Sequence, residues 1–203
     1  MWSVMLTLAR QGQSGLISDH QLVADSVAGD ERSFARLVGR HAEKIRAIAL
    51  RYTNDVMASE DIAQEVFWRV WRAKDKWDAD GDATFSSWLY RVTLNLCIDR
   101  ARRRKARSWF SSFGAEADSV AAPEASPERV LGARQDLAIV QADIADLPDK
   151  QKAALLLSAL AGEPNALIAK TMGTSVGAVE QAISRARRTL REKKITRENN
   201  ERG

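Results

Sequence analysis

Phe34, Leu37, Val38, His41, Ile45, Ile48, Ala49 and Tyr52 recur at three- and four-residue steps, and only a helix gathers them onto one face. A strand would scatter the same residues over both of its faces. The period returns further on. Ile62, Val66 and Val70 make one line with Ala63, Phe67 and Trp71 beside it, and Ser59 is expected to cap that helix. Phe85, Trp88, Leu89, Val92 and Leu96 make another line, starting near Thr84. Ser18 with Gln21 predicts a capping box ahead of the first helix, and Gly29 followed by Asp30 predicts the end of one helix and the cap of the next. No strand-like alternation of useful length and no internal repeat interrupts this pattern, so the expected fold class is all-α.

The periodicity fades from Ser108 to about Arg134, where Ser, Ala, Gly, Pro123, Pro127 and acidic residues accumulate as in an exposed, flexible connector. Two helical domains are therefore expected. Residues 18–107 form the first and 135–195 the second, with an N-terminal extension over 1–17, a linker over 108–134 and a polar tail over 196–203. In the second domain Pro148 opens a helix that holds Ala153, Leu156, Leu157 and Leu160 and stops at Gly162.

Within 203 residues, 31 Lys and Arg against 27 Asp and Glu leave a net charge of only +4, so placement matters more than the total. Cys97 is the sole cysteine, and with His20 and His41 as the two histidines neither an internal disulfide nor a zinc cluster can be assembled. The apolar start from Met1 to Ala9 is short and lacks basic flanks, which predicts no signal peptide. No apolar run approaches the roughly 18 residues of a membrane-spanning helix. These features predict a cytoplasmic protein with no membrane insertion of its own. No metal site, cofactor or catalytic cluster is predicted either: Asp78, Asp80, Gly81 and Asp82 look like a calcium loop but lack its glycine and its terminal acid, and His41 sits on an apolar stripe as a packing residue.

Ala169, Gly173 and Val179 stand four and six residues apart, the spacing of a helix-turn-helix. Ala169 is small enough for two helices to cross closely, Gly173 suits a left-handed turn, and Val179 plugs the second helix into the core. Val176, Val179, Ile183, Ala186 and Leu190 form that helix's expected buried line. Glu180, Gln181, Ser184, Arg185, Arg188 and Arg191 then face outward, with Gly177 and Ala178 at the end that a recognition helix presents to base edges.

The second charged feature is Arg100, Arg102, Arg103, Arg104, Lys105 and Arg107, six cations in eight residues at the end of an aromatic-rich helix. Cations complement a helix C-terminus in any protein. Trp77, Phe85, Trp88 and Tyr90 lie just upstream, however, and rings beside a basic track suit unstacked bases, although Phe85 and Trp88 are expected to be core. Two readings can be weighed at this point. A dimeric helix-turn-helix regulator would explain only the C-terminal half, and a nucleic-acid-processing enzyme lacks a catalytic cluster.

Taken in order, DIAQEVFWRVWRAKDKW, TFSSWLYRVTLNLCIDRARRR, a Pro-dotted linker, LPDKQKAALLLSALAG and a final helix-turn-helix ending in SRARRTLR resemble an extracytoplasmic-function (ECF) sigma factor, from Ser18 to about Lys194. The resemblance implies sigma domain 2, then sigma domain 4, both docking on bacterial RNA polymerase. It assigns Asp61, Gln64, Glu65 and Arg69 to the β′ clamp helices, with Phe67 and Val70 adding apolar contact. It maps a pocket for a flipped −10 base onto Ala73, Trp77, Val92 and Asn95, with Arg91, Arg100 and Arg103 on the nearby backbone. It gives the −35 element to Gly177, Glu180, Gln181, Ser184, Arg185 and Arg188, the β flap to the other surface of domain 4, and implies an anti-sigma partner. Two departures alter the groove: Ala178, Glu180 and Gln181 stand where members often carry Thr and a basic residue, and Leu167 stands where an acid is usual.

Overall fold

The computed structural model describes residues 17–77, 84–111 and 128–200, with the side chains of 108–111 and 128–136 excepted. Among the described residues every regular element is helical. Helix α1 (Asp19–Val27) is capped by Ser18, whose side chain accepts from the Gln21 amide at 3.1 Å. Gly29 turns the chain with φ 105°, a left-handed conformation that costs glycine nothing. Asp30 then caps α2 (Glu31–Thr53), accepting from the Arg32 amide at 2.9 Å and from Ser33 Oγ at 2.7 Å.

Helix α2 ends at Asn54 in the left-handed region, and Asp55 caps α3 (Val56–Ala73) by accepting from the Ala58 amide at 2.9 Å. The expected cap, Ser59, lies instead within the first turns of α3, fully buried, with its hydroxyl donating to the Val56 carbonyl. Asp55 wins because the Asn54 turn brings its carboxylate over the free N–H groups four residues earlier than the apolar pattern suggests. A 3-10 turn (Lys74–Lys76) follows, and α4 (Phe85–Ser111) starts after Thr84, whose Oγ1 accepts from the Ser87 amide at 3.1 Å. Helix α4 runs past the predicted linker boundary to Ser111, and α5 (Glu128–Ala145) begins before it ends, so the expected 108–134 connector is helical at both margins. Residues 112–127 between them, like the extension 1–16 and the Asp78–Asp82 motif, lie outside the described residues.

The second half continues with α6 (Asp149–Leu156) behind Pro148, a five-residue π turn (Leu157–Ala161), α7 (Asn165–Met172) and α8 (Val176–Asn200). Gly162 and Gly173 close the π turn and α7 in the left-handed region, with φ 70° and 62°. The polar tail expected from 196 is helical as far as Asn200.

Leu22, Phe34, Leu37, Ile45, Ile48, Val66, Phe67, Leu89 and Tyr90 form the first-half core. Leu156, Leu157, Ile168, Ala169, Val179 and Ile183 of the second half belong to the same continuous apolar cluster. The two halves therefore share a seam. Across it Tyr52 Oη donates to Asp149 Oδ1 at 2.7 Å, and Lys44 Nζ to the Ala161 carbonyl at 3.4 Å. Arg91 donates to the carbonyls of Lys170 and Thr171 at 3.0 and 3.3 Å, which lie in the last turn of α7.

Candidate nucleic-acid interface

Three surfaces carry the residues singled out from the sequence. On α3, Asp61 and Gln64 are exposed, and Glu65 is half-buried with its carboxylate 2.7 Å from Arg69 Nε. Phe67 and Val70 are not on this surface. They are 1% and 0% exposed, inside the core, and cannot supply the apolar contact assigned to them. The exposed ring is Trp68, 52% accessible, with the Arg72 guanidinium 4.8 Å above it. One step of 100° separates Trp68 from Phe67, and its place one turn after Gln64 and one before Arg72 was the available signal.

Helix α4 carries the second surface. Trp77, Phe85 and Trp88 form a chain of edge-on contacts, with centroids 5.9 Å apart for Trp77–Phe85 and 6.0 Å for Phe85–Trp88. Phe85 is buried as expected, whereas Trp88, Trp77, Val92 and Ala73 are only partly covered. The Trp77 Nε1 donor is buried with no acceptor among the described residues, a group that costs about 1–3 kcal/mol until something accepts from it. Asn95 lies on the exposed side of α4, two turns beyond Trp88. Arg91 is committed to the α7 carbonyls, and Arg100 Nη1 sits 3.3 Å from Asp61 Oδ2. Arg103 shares with Asp61, Glu65, Arg69 and Arg100 the walls of an open cavity of about 760 Å³ between α3 and α4.

The third surface is the outer face of α8. Gly177, Glu180, Gln181, Ser184, Arg185 and Arg188 are all exposed, while Val179, Ile183 and Ala186 are buried. Ser175 caps the helix by accepting from the Ala178 amide at 3.2 Å. Val176, expected in the buried line, is 42% exposed, because it occupies the first turn, which extends beyond the α7 crossing. Leu190 is partly buried against Leu147, Leu155 and Ala186. Arg188 pairs with Glu192 at 2.7 Å, and a cavity of about 520 Å³ runs beside Glu180, Ser184, Arg187, Arg188 and Arg191.

The remaining chemistry-bearing groups have structural roles. His41 Nε2 lies 2.7 Å from Asp19 Oδ2, and its hydrogen bond is the leading cause that holds the Asp19 carboxyl below the usual carboxylate range. Arg40 adds to that lowering from 2.8 Å. Burial pushes the Cys97 thiol up to about 12, which leaves it unreactive at neutral pH. Among the described residues no three metal-ligating side chains cluster, and no helix is long and apolar enough to cross a membrane.

Residues 37–107 match the sigma-70 region 2 family and residues 138–190 match sigma-70 region 4, in that order. The chain is a sigma factor of the sigma-70 family. Its curated relatives place it in the ECF group of sigma factors. CnrH of Cupriavidus metallidurans is 34% identical over 85% of this chain and 92% of its own. The ECF sigma-E factor of Escherichia coli is 31% identical over 86% of this chain and 93% of its own. A solved structure of CnrH in complex with the cytosolic domain of CnrY superposes with a TM-score of 0.66, at 28% identity, over 86% of this sigma factor and 95% of that chain. A second sigma factor, RpoE from Bartonella quintana in complex with the anti-sigma factor NepR, shares the fold at 23% identity and a TM-score of 0.63.

Proposed function

We propose that this sigma factor binds core RNA polymerase through the outer face of α3, with Asp61, Gln64 and Glu65 meeting the β′ clamp helices and Trp68 supplying the apolar contact. The reading is supported by exposed Asp61 and Gln64 on one face of α3 beside Trp68, a large indole left 52% accessible. Polymerase performs the chemistry, in the cytoplasm, and the sigma factor supplies promoter choice. Residues 18–107 act as domain 2 and 135–195 as domain 4, which also meets the β flap.

The observation that carries the DNA reading is the surface of α4 with Trp77 beside it: an exposed amide at Asn95, part-covered rings at Trp88 and Trp77, and the Trp77 indole N–H without an acceptor among the described residues. An unpaired −10 base can stack on such rings and accept from such donors, which offsets a few kcal/mol of unstacking. Ala73 and Val92 would line this pocket, and Arg91, Arg100 and Arg103 would hold the backbone beside it. The exposed face of α8 reads the −35 duplex, its Gly177–Ser184 end at base edges and Arg185 and Arg188 near phosphates.

Taken from their names, elements at −35 and −10 would lie about 25 base pairs apart, roughly 85 Å along B-form DNA at about 3.4 Å per step. A compact chain of this length has a radius of gyration of only roughly 17 Å. The halves that share a seam must part before both elements are read. A protein partner that holds them together would silence the factor. CnrH is seen in a complex with the cytosolic domain of CnrY, and an anti-sigma partner of that kind is proposed here.

A mobility-shift assay on promoter DNA with and without core enzyme tests the proposal. Promoter-specific binding should require core polymerase. Tight, palindrome-dependent binding by the free protein, unimproved by core, would instead identify a dimeric helix-turn-helix regulator.

A further inference from the structure

The basic end of α4 has two sides. Arg103 turns toward α3, whereas Arg102 and Lys105 line a different cleft of about 530 Å³ at the seam between the halves. Its first wall is α4 with the end of α2, and its second is the start of α6 from Pro148 to Lys152. Six cations line it, Arg100, Arg102, Arg104, Lys105, Arg107 and Lys152, against two acids, Asp55 and Asp149, an excess of four positive charges.

Both acids are already engaged. Asp55 caps α3 through the Ala58 amide, and Asp149 accepts from Tyr52 Oη at 2.7 Å. Of the cations, Arg100 has Asp61 and Arg104 donates to the Thr53 carbonyl at 3.3 Å, while Arg102, Lys105 and Arg107 have no ion pair among the described residues. Lys152 is the unusual member. It is only 5% exposed, donates to the Ala145 carbonyl, and places its ammonium 4.7 Å over the Tyr52 ring. Burial lowers its proton affinity, opposed by the nearby Asp149 and Asp146 carboxylates, while Arg104 acts with burial. With Asp149 and Asp55 as the acids in its lining, the cleft keeps a net cationic surface around a buried ammonium, which suits a multivalent anion.

We propose that this cleft binds a short phosphate chain, a compact polyanion that bridges the basic helix of the first half to Lys152 and the α6 start of the second. Guanidinium forks match phosphate oxygens in pairs. The volume is that of a small-molecule site, too small for a duplex or a partner helix. Because its two walls come from different halves, occupancy favours the closed arrangement and opposes the separation that promoter reading requires. A metabolite rich in phosphate would then hold the factor in reserve.

Inorganic tripolyphosphate, titrated calorimetrically into the full chain, tests this. One molecule should bind per chain. Lys152→Met, and independently Arg102→Ala with Lys105→Ala, should each weaken binding at least tenfold, whereas Arg36→Ala with Arg46→Ala, exposed and outside the cleft, should not. Hydrogen exchange on the unsubstituted protein gives a readout that does not depend on a variant's folding: tripolyphosphate should slow amide exchange in residues 149–157 as well as in α4. Protection confined to α4, or binding indifferent to Lys152, would overturn the bridge while leaving the promoter reading untouched. A nucleoside triphosphate should bind no more than tenfold tighter than tripolyphosphate; a larger preference would overturn recognition of the phosphate chain alone.

Discussion

Helices α4 and α8 both carry outward arginines, but three on α4, Arg91, Arg100 and Arg104, reach other helices of the molecule, whereas Arg188 on α8 pairs only within its own helix, with Glu192. Arg91 caps α7, Arg100 pairs with Asp61 and Arg104 meets the Thr53 carbonyl. On α8, Glu180, Gln181, Ser184 and Arg185 are exposed, and their side chains make no hydrogen bond among the described residues. A duplex could reach α8 without any rearrangement. The strand capture proposed for α4 would require contacts of Arg91 and Arg100 to be exchanged first, so the two grips would engage in a set order.

The largest effect should separate the two functions of the first half. Asn95→Ala is expected to slow open-complex formation ten- to a hundredfold, roughly 1.4–2.8 kcal/mol, with core affinity unchanged. Gln64→Ala with Glu65→Ala should do the opposite. Permanganate reactivity of promoter thymines and a core-binding titration read the two outcomes, and a reversed pattern would mean the faces of α3 and α4 have been exchanged.

Next comes the neutralisation of Arg102, Arg103 and Arg104 together, which should lower the salt slope of promoter binding by up to about 2.1, at roughly 0.7 per lost single-strand phosphate contact. An unchanged slope would place those side chains in water. Arg91→Ala should have a smaller effect, loosening the seam by about 1 kcal/mol, since its bonds are charge-assisted yet partly solvated. Distance distributions between labels on the two halves would broaden, with −35 duplex binding unaffected; a distribution left as it was would remove Arg91 from the seam.

The smallest effect concerns acid. Asp19 is held below the usual carboxylate range chiefly by the His41 hydrogen bond, so its contribution is fully present above the unfolded value of 3.8 and is lost as pH falls through the lower folded value. His41→Ala should therefore reduce the acid sensitivity of the melting temperature below about pH 4. Lys193→Ala, which removes the exposed Asp146 partner in the second half, should change it far less.

The parts legible in the sequence were those decided by local chemistry. Gly29 and Asp30, Gly173 and Val179 each meet a steric or capping requirement within a few residues, and the structure bears them out. The misplacements came from competition between neighbours. Asp55 displaced Ser59 because a non-glycine residue, Asn54, took the left-handed turn, and Trp68 was passed over for Phe67 because large apolar residues on adjacent lines look alike until the core is known. The seam could not be read at all. Tyr52 and Asp149 are separated by 97 positions, and nothing local to either announces the other.

Cys97 is fully buried among apolar side chains, with its thiol pushed up to about 12, and it is the chain's single cysteine. At neutral pH almost none of it is thiolate, so maleimide and disulfide reagents will pass it by for any cysteine introduced at the surface. The native chain thus arrives with a silent background for site-directed labelling, and the distance between its halves can be followed without first altering the core.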